Sequence, residues 1–101
     1  WEYLSETMPF KTVCSDVYIN SGGHLIVSGE ITMSKGATIF VENGGEFEIS
    51  SGDLINGNIT VKSGGIINLE NDGKVILTNG DEFESKSGSI VNINNGSIIL
   101  E

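Results

Sequence analysis

The sequence lacks most of the features that would assign a chemistry. Its 101 residues include no arginine, one cysteine, one histidine and one proline, and 14 acidic residues against five lysines give a formal net charge of -9. Nucleic acids and anionic membrane surfaces are bound by basic faces, so this charge argues against both as partners. A lone cysteine builds neither an internal disulfide nor a zinc site. No apolar run approaches the roughly 18 residues of a membrane-spanning helix, so we expect no membrane insertion.

Glycine, in contrast, is plentiful and regularly spaced. All 14 glycines lie at or after Gly22, in three columns whose members recur about 22 residues apart. A repeat of this length indicates a structure built from stacked, equivalent units. Asparagine or aspartate precedes several of the glycines, as is typical of tight corners that need positive φ. The columns are Gly22-Gly23, Gly44-Gly45, Gly64-Gly65 and Gly88; Gly29, Gly52, Gly73 and Gly96; and Gly36, Gly57 and Gly80.

Between the glycines lie short segments in which isoleucine, valine and other apolar residues alternate with polar ones. Such segments predict β-strands with one buried side. Taken in threes they form three faces, and each strand pairs in parallel with its equivalent one coil along, about 4.8 Å away. The sequence therefore predicts an all-β fold, a short parallel β-solenoid of about four three-strand coils over residues 17–101. The predicted inward pairs are Val17/Ile19, Ile39/Val41, Ile59/Val61 and Phe83/Ser85 on face one; Leu25/Val27, Phe47/Ile49, Ile67/Leu69 and Val91/Ile93 on face two; and Ile31/Met33, Leu54/Asn56, Val75/Leu77 and Ile98/Leu100 on face three.

Two other arrangements remain open at this point. A coil of two strands, with a shorter period, aligns the glycine doublets less well. Antiparallel hairpins at the Asn-Gly pairs leave the three-column register unexplained. Two residues also break the inward apolar rule: Asn56 is expected at a corner, bonded to the backbone, and Ser85 predicts a looser last coil.

Residues 1–16 differ from the rest, because they contain no glycine and are dense in large apolar side chains. We interpret them as an N-terminal cap over the open first coil, since solenoids need terminal caps. Ligand stacking by the aromatic residues is the alternative. Cys14, near the first strand, is expected to be a small buried residue. The large apolar residues are Trp1, Tyr3, Leu4, Met8 and Phe10.

Several long stretches carry a resemblance to a known family. The segments INSGGHLIVSGEITMSKGATIFVENGGEFEISSG and ITVKSGGIINLENDGKVILTNG, with the closing VILTNGDEFESKSGSIVNINNGSIILE, resemble the right-handed parallel β-helix repeats of secreted Bacteroidetes cell-surface proteins. The shared pattern is a strand, a Ser-Gly or Gly-Gly corner and another alternating strand, and it covers residues 17–101. The resemblance implies export and a structural, display or adhesive role. It implies no catalytic residues.

Catalysis finds little support in the residues. Glycoside hydrolysis needs two carboxylates across a cleft, whereas Glu46, Glu48 and Glu70 alternate with inward residues and are expected to be solvated. Lyases with a β-helix fold resemble one another in using calcium-binding aspartates and a catalytic arginine or lysine, and this chain has no arginine. A Cys14–His24 pair is the remaining arrangement for a nucleophile. We expect no enzyme.

The sequence evidence for a metal site is similarly weak. Asn68, Glu70, Asp72 and Gly73 imitate the first half of an EF-hand loop, but Asn79 stands where the loop needs its twelfth-position glutamate. Asp72-Gly73 is therefore interpreted as a corner turn, and we expect no metal and no cofactor.

Two outward patches are the candidate binding surfaces. On face one, Tyr18 and Phe40 occupy the outward centres of neighbouring coils, where adjacent aromatics form a platform of the kind that stacks on sugar rings. Cross-strand aromatic packing is the alternative. On face three, Ile55, Ile76 and Ile99 form an outward stripe, here called the isoleucine ridge, which marks a contact with a loop of this chain, a second copy or a neighbouring domain.

The sequence as a whole predicts a non-enzymatic structural or adhesive β-helix module of an exported or cell-surface protein. A carbohydrate-binding module that uses the outward aromatics is the alternative. The expected partner is another polypeptide at the isoleucine ridge, or a glycan, and not nucleic acid.

Overall fold

The computed structural model describes residues 6–7, 12–34, 36–78 and 80–100, and these form strands and corners but no helix. Their fourteen strands belong to three sheets, one for each predicted face, and all the pairings are parallel. Face one consists of β3 (Val17–Ile19), β6 (Thr38–Val41), β9 (Asn58–Val61) and β12 (Phe83–Ser85). Face two consists of β1 (Glu6–Thr7), β4 (His24–Val27), β7 (Glu46–Ser50), β10 (Ile66–Glu70) and β13 (Ile90–Asn94). Face three consists of β2 (Thr12–Val13), β5 (Glu30–Met33), β8 (Asp53–Ile55), β11 (Lys74–Leu77) and β14 (Ser97–Leu100).

The chain visits the three faces in a fixed order, so each strand pairs with the third strand after it. On face two, Phe47 lies between Leu25 and Ile67, and Ile67 pairs in turn with Val91. The other two sheets keep the predicted register in the same way. This register confirms the all-β solenoid of about four coils with three strands each. It excludes the coil of two strands and the antiparallel hairpins.

The inward side chains of the three sheets meet in one apolar core. Phe47, Leu54 and Ile59, one from each face of the same coil, are fully buried, and no polar or charged side chain of the described residues is buried. Full burial of such a side chain is worth roughly 1.5–3 kcal/mol. Strands of two to five residues are too short to persist alone, so this shared core is what stabilises them.

The glycine columns lie at the corners, and glycine is needed there for two different reasons. In the first column, Gly22, Gly44 and Gly64 each have a φ of 83°, a conformation that is cheap only without a Cβ atom. In the second column, the residue before Gly52 takes the positive φ instead. Glycine is needed there because a Cβ atom at Gly52 would lie 2.7 Å from the carbonyl oxygen of Gly29 in the neighbouring coil.

The two residues that break the inward apolar rule have different outcomes. Asn56 is at a corner, with a φ of 67°, as predicted. Its side-chain oxygen accepts a hydrogen bond from the hydroxyl of Thr78, one coil along. The predicted bond between the Asn56 side chain and the backbone stays a prediction. Ser85 is exposed and its hydroxyl lies 2.6 Å from that of Ser89. Its openness follows from the position of β12 at the end of the face-one sheet.

The segment interpreted as a cap, residues 1–16, is described only in part. Two short pieces of it continue the sheets, since β1 pairs with β4 and β2 pairs with β5. The aromatic and other large apolar residues that suggested a cap lie outside the described residues: Trp1, Tyr3, Leu4, Met8 and Phe10. The cap therefore stays a prediction.

Candidate functional site

The aromatic pair of face one lies where the repeat places it. Tyr18 and Phe40 are directly opposite in the parallel register, and their rings stack with centroids 4.9 Å apart and planes 10° from parallel. From the β9 side, Lys62 places its Nζ 5.3 Å from the centroid of the Phe40 ring and pairs with Glu42 at 3.0 Å. Tyr18 thus stacks on the Phe40 ring, and the Lys62 ammonium lies over the same ring. This is the geometry of cross-strand packing, and the ligand-binding role of the pair stays a prediction.

A shallow cavity of about 250 Å³ on the same face is lined by Phe40 of this pair and by polar residues. Phe40 forms its apolar wall, and Thr60 and Glu84 follow Phe40 in the same outward row of the sheet. Asn58 is fixed at the edge, because its side-chain oxygen accepts a hydrogen bond of 2.8 Å from the backbone N–H of Glu82. The cavity therefore combines one aromatic edge with hydroxyl, amide and carboxylate groups. Its lining residues are Thr38, Phe40, Asn58, Thr60, Glu82 and Glu84.

The isoleucine ridge has the predicted register. Ile55 pairs with Ile76, and Ile76 pairs with Ile99. All three are half-buried rather than exposed, since each is flanked by side chains of adjacent strands on the same wall. The contact with another polypeptide stays a prediction, and the apolar area available for it is smaller than three free isoleucines would give.

The most exposed large apolar residues of the described chain lie elsewhere: Tyr18, Ile90, Ile93 and Leu100. Three of them belong to the last two strands. The sequence pattern assigned Ile93 and Leu100 inward positions, and the pattern alone does not show that these positions are left open at the end of the stack.

Face two carries a polar network that the sequence analysis did not predict. His24 Nε2 lies 3.0 Å from Glu48 Oε1 and 3.9 Å from Glu46 Oε2. Asn68 donates its side-chain amide to Glu46, and Asn92 donates to Asn68 Oδ1 at 2.8 Å. These five residues come from four successive coils, so the network ties the outer wall of face two together. The sequence feature that indicates this network is the recurrence of polar residues at outward positions about 22 residues apart.

The same wall contains the clearest electrostatic perturbation of the described residues. A hydrogen bond with Glu48 and the negative charge of Glu48 raise the pKa of Glu70, with smaller contributions from desolvation and from Glu46. Two carboxyl groups that share a hydrogen bond must share a proton, so protonation of Glu70 is favoured in the folded state.

His24, Glu46 and Glu48 are also the described residues that could hold a metal ion, since one ligand atom from each lies within 4.8 Å of the others. Imidazole nitrogen and carboxylate oxygen are ligands that zinc accepts. The direct contact between His24 and Glu48, however, already provides the imidazole with a partner. The geometry is therefore explained by hydrogen bonding alone.

Two further predictions concern single residues. Cys14 is a free, exposed thiol, so the prediction that it is buried is wrong. It follows the inward Val13, and the alternation of side chains along an extended chain turns it outward. Asp72-Gly73 is a corner, as predicted: Asp72 has a φ of 65°, and the Gly73 N–H donates to the Glu70 carbonyl at 2.9 Å.

Comparisons with known proteins give no relative on which to rest a function. No protein-family model, curated protein or solved structure matches this chain. Within the described residues, no helix is long and apolar enough to cross a membrane.

Proposed function

We propose that this chain is a non-enzymatic structural or adhesive module of an exported or cell-surface protein. The observation that carries the proposal is the construction of the solenoid. Inward side chains of three faces pack in one core, and backbone hydrogen bonds connect successive corners, as from Gly22 N–H to the Gly44 carbonyl at 3.0 Å. A prism of this kind is stiff and holds the side chains of its outer walls in fixed rows, which suits a scaffold that presents surfaces.

The proposed location rests on the repeat pattern. The strand–corner–strand pattern resembles that of secreted Bacteroidetes surface β-helices, and a net charge of -9 keeps such a module soluble at high local density. The isoleucine ridge supplies the proposed contact with another polypeptide. Because Ile55, Ile76 and Ile99 are half-buried, the ridge supports a weak contact that other surfaces must reinforce.

Labelling of intact cells tests this proposal. Cells that produce the protein are treated with an amine-reactive reagent that does not cross membranes, and modified lysines are identified by mass spectrometry. Lys86 is exposed and is expected to be modified in intact cells, while a cytoplasmic protein of the same cells serves as the unlabelled control. Modification of Lys86 only after lysis would contradict the cell-surface proposal.

Carbohydrate binding on face one is the second candidate. The cavity of about 250 Å³ favours it, because Phe40 and several hydrogen-bonding side chains converge there. A glycan array with the intact chain is expected to show a ligand whose binding is lost in Tyr18→Ala and Phe40→Ala. Ile90→Ala, an exposed apolar position on another face, is the matched control. An array without signal removes this candidate and leaves the structural proposal standing.

A further inference from the structure

The isoleucine ridge is flanked by two side chains of opposite charge. Asp53 of β8 pairs in register with Lys74 of β11, and two residues further along Ile55 pairs with Ile76. Side chains two residues apart in a strand point to the same side of the sheet. The aspartate and the lysine therefore lie on the outer wall of face three, beside the two isoleucines, and all four side chains are half-buried.

Lys74 differs from the other lysines of the described chain. Lys62 and Lys86 lie outside the strands, and each forms an ion pair with a glutamate, at 3.0 Å and 3.5 Å. Lys74 lies within β11, and neither it nor Asp53 forms an ion pair with a described residue. The wall therefore presents one positive and one negative group, side by side, that the described chain leaves unpaired.

The order of these groups makes the wall complementary to itself. Asp53 and Ile55 lie on one coil, and Lys74 and Ile76 lie at the equivalent places on the next. A twofold axis that runs parallel to the strands, midway between β8 and β11, sets β8 of one copy against β11 of the other. Asp53 of each copy then lies opposite Lys74 of the other, and Ile55 lies opposite Ile76. A patch with this property forms the same contact twice, as twofold interfaces require.

We propose that the isoleucine ridge, together with Asp53 and Lys74, binds the same ridge of a second copy to give a twofold dimer whose solenoid axes run antiparallel. The inference rests on the ridge contact of the proposed function, and it identifies the other polypeptide as a second copy of this chain. Sheets that pack face to face lie about 10 Å apart with nearly aligned strands. Two symmetric aspartate–lysine pairs then flank an apolar centre, and Ile99 of each copy lies opposite Thr32 of the other.

The charged pair selects this orientation over the other twofold arrangement of the same wall. With the axis along the solenoid, Ile55 lies opposite Ile55 of the other copy, and Asp53 and Lys74 lie at the rims without opposite charges to meet. The dimer is expected to be weak. The described chain measures 29 × 25 × 24 Å, so one wall covers at most roughly 700 Å², less than the ~800 Å² per partner of a standard stable interface. The net charge of -9 on each copy also opposes association.

Exchange of the two charges, followed by sedimentation velocity of the full chain up to high concentration, tests the inference. The unmodified chain should show a monomer–dimer equilibrium. Asp53→Lys and Lys74→Asp each bring like charges together at both symmetric contacts, so each should raise the dimer dissociation constant by at least about tenfold. An equimolar mixture of the two variants should dimerise again, because opposite charges then meet between unlike copies. Glu84→Lys, an exposed position on face one with the same change of charge as Asp53→Lys, is the matched control and should not weaken the dimer.

Each contrary result is distinct. An unmodified chain that stays monomeric at every concentration overturns the inference but leaves the proposed function, in which a different polypeptide contacts the ridge. A dimer that Ile76→Thr does not weaken contradicts both the inference and the ridge contact of the proposed function. Variants that weaken the dimer singly but do not restore it when mixed contradict the antiparallel pairing. Circular dichroism checks the fold of each variant, and if Ile76→Thr disturbs it, the charge variants and their mixture decide the result.

Discussion

Alanine substitution at two adjacent positions of β8 tests the assignment of inward and outward sides. Leu54 is fully buried and stacks between Ile31 and Val75. Its replacement by alanine removes buried methyl groups and leaves a cavity in a narrow core, at a cost of about 2–5 kcal/mol. Ile55 is half-buried on the outer wall, where a cross-strand contact is worth about 0.2–1 kcal/mol. Leu54→Ala should therefore destabilise the protein by roughly 1–4 kcal/mol more than Ile55→Ala.

Chemical and thermal unfolding measure this difference. A domain of this size has a free energy of unfolding of about 5–15 kcal/mol, so Leu54→Ala should remove a substantial part of it. Each kcal/mol lowers Tm by about 4–8 °C in a domain of about 100 residues. The denaturant midpoint should fall while the slope of the transition stays unchanged, because the surface exposed on unfolding is nearly the same. Equal destabilisation by the two substitutions would refute the assigned sides of face three.

Three further predictions address the corners, the open end and the acidic wall. Gly52→Ala should lower Tm clearly, because the added Cβ atom would meet the backbone of the neighbouring coil. Gly29→Ala, in the same column, should not lower Tm, because an added Cβ atom there has open space around it. Equal Tm values for the two variants would contradict the close approach of the coils at Gly52. Hydrogen exchange should be faster in β12, at the sheet edge, than in β9 inside the same sheet, and uniform protection would count against an open last coil. Glu48 raises the pKa of Glu70, so the folded state binds a proton at Glu70 more tightly than the unfolded state does. The stability that this protonation contributes is lost as pH rises through the raised pKa of Glu70. Glu70→Gln should therefore raise Tm at neutral pH and leave it unchanged in acid, below the usual pKa of a carboxyl group, as thermal unfolding over that pH range will show; the same increment at every pH would contradict the repulsion.

The fold was predictable from the sequence because one pattern recurs in every coil. Alternation of apolar residues defined the inward side of each strand, and the glycine columns fixed the spacing between coils. Once that register is set, the neighbours of an outward residue follow, so that Tyr18 meets Phe40 and Ile55 meets Ile76. These contacts depend on backbone register alone, and every coil of the repeat carries the same pattern that sets this register.

Details that depend on side-chain orientation were not predictable in the same way. The register places His24 beside Glu46, but its closest carboxylate belongs to Glu48, a choice made by the rotamers of long side chains. The hydroxyl of Thr78 donates to the side-chain oxygen of Asn56, a contact that the backbone register alone does not give. Alternation along the strands also turns Cys14 outward after the buried Val13. The usual burial of cysteine, on which the prediction for Cys14 rests, does not hold at this position.

The open end was missed because position within the stack, and not residue type, determines exposure there. Leu77 and Leu100 occupy equivalent places in face three, and one is buried while the other is exposed. A periodic sequence describes both in the same way. The difference arises from the coil that covers Leu77, which is a property of the assembled structure.

The most direct test of the three-sided solenoid is the backbone contact map of the folded chain, measured by nuclear magnetic resonance. Such a solenoid gives proton contacts between parallel strands about 22 residues apart, with the backbone of Phe47 close to those of both Leu25 and Ile67. It gives no strand contacts between consecutive segments such as β7 and β8, which belong to different faces. Contacts at a shorter, two-strand spacing, or antiparallel contacts between consecutive strands, would contradict the three-sided solenoid and the proposals that rest on its faces.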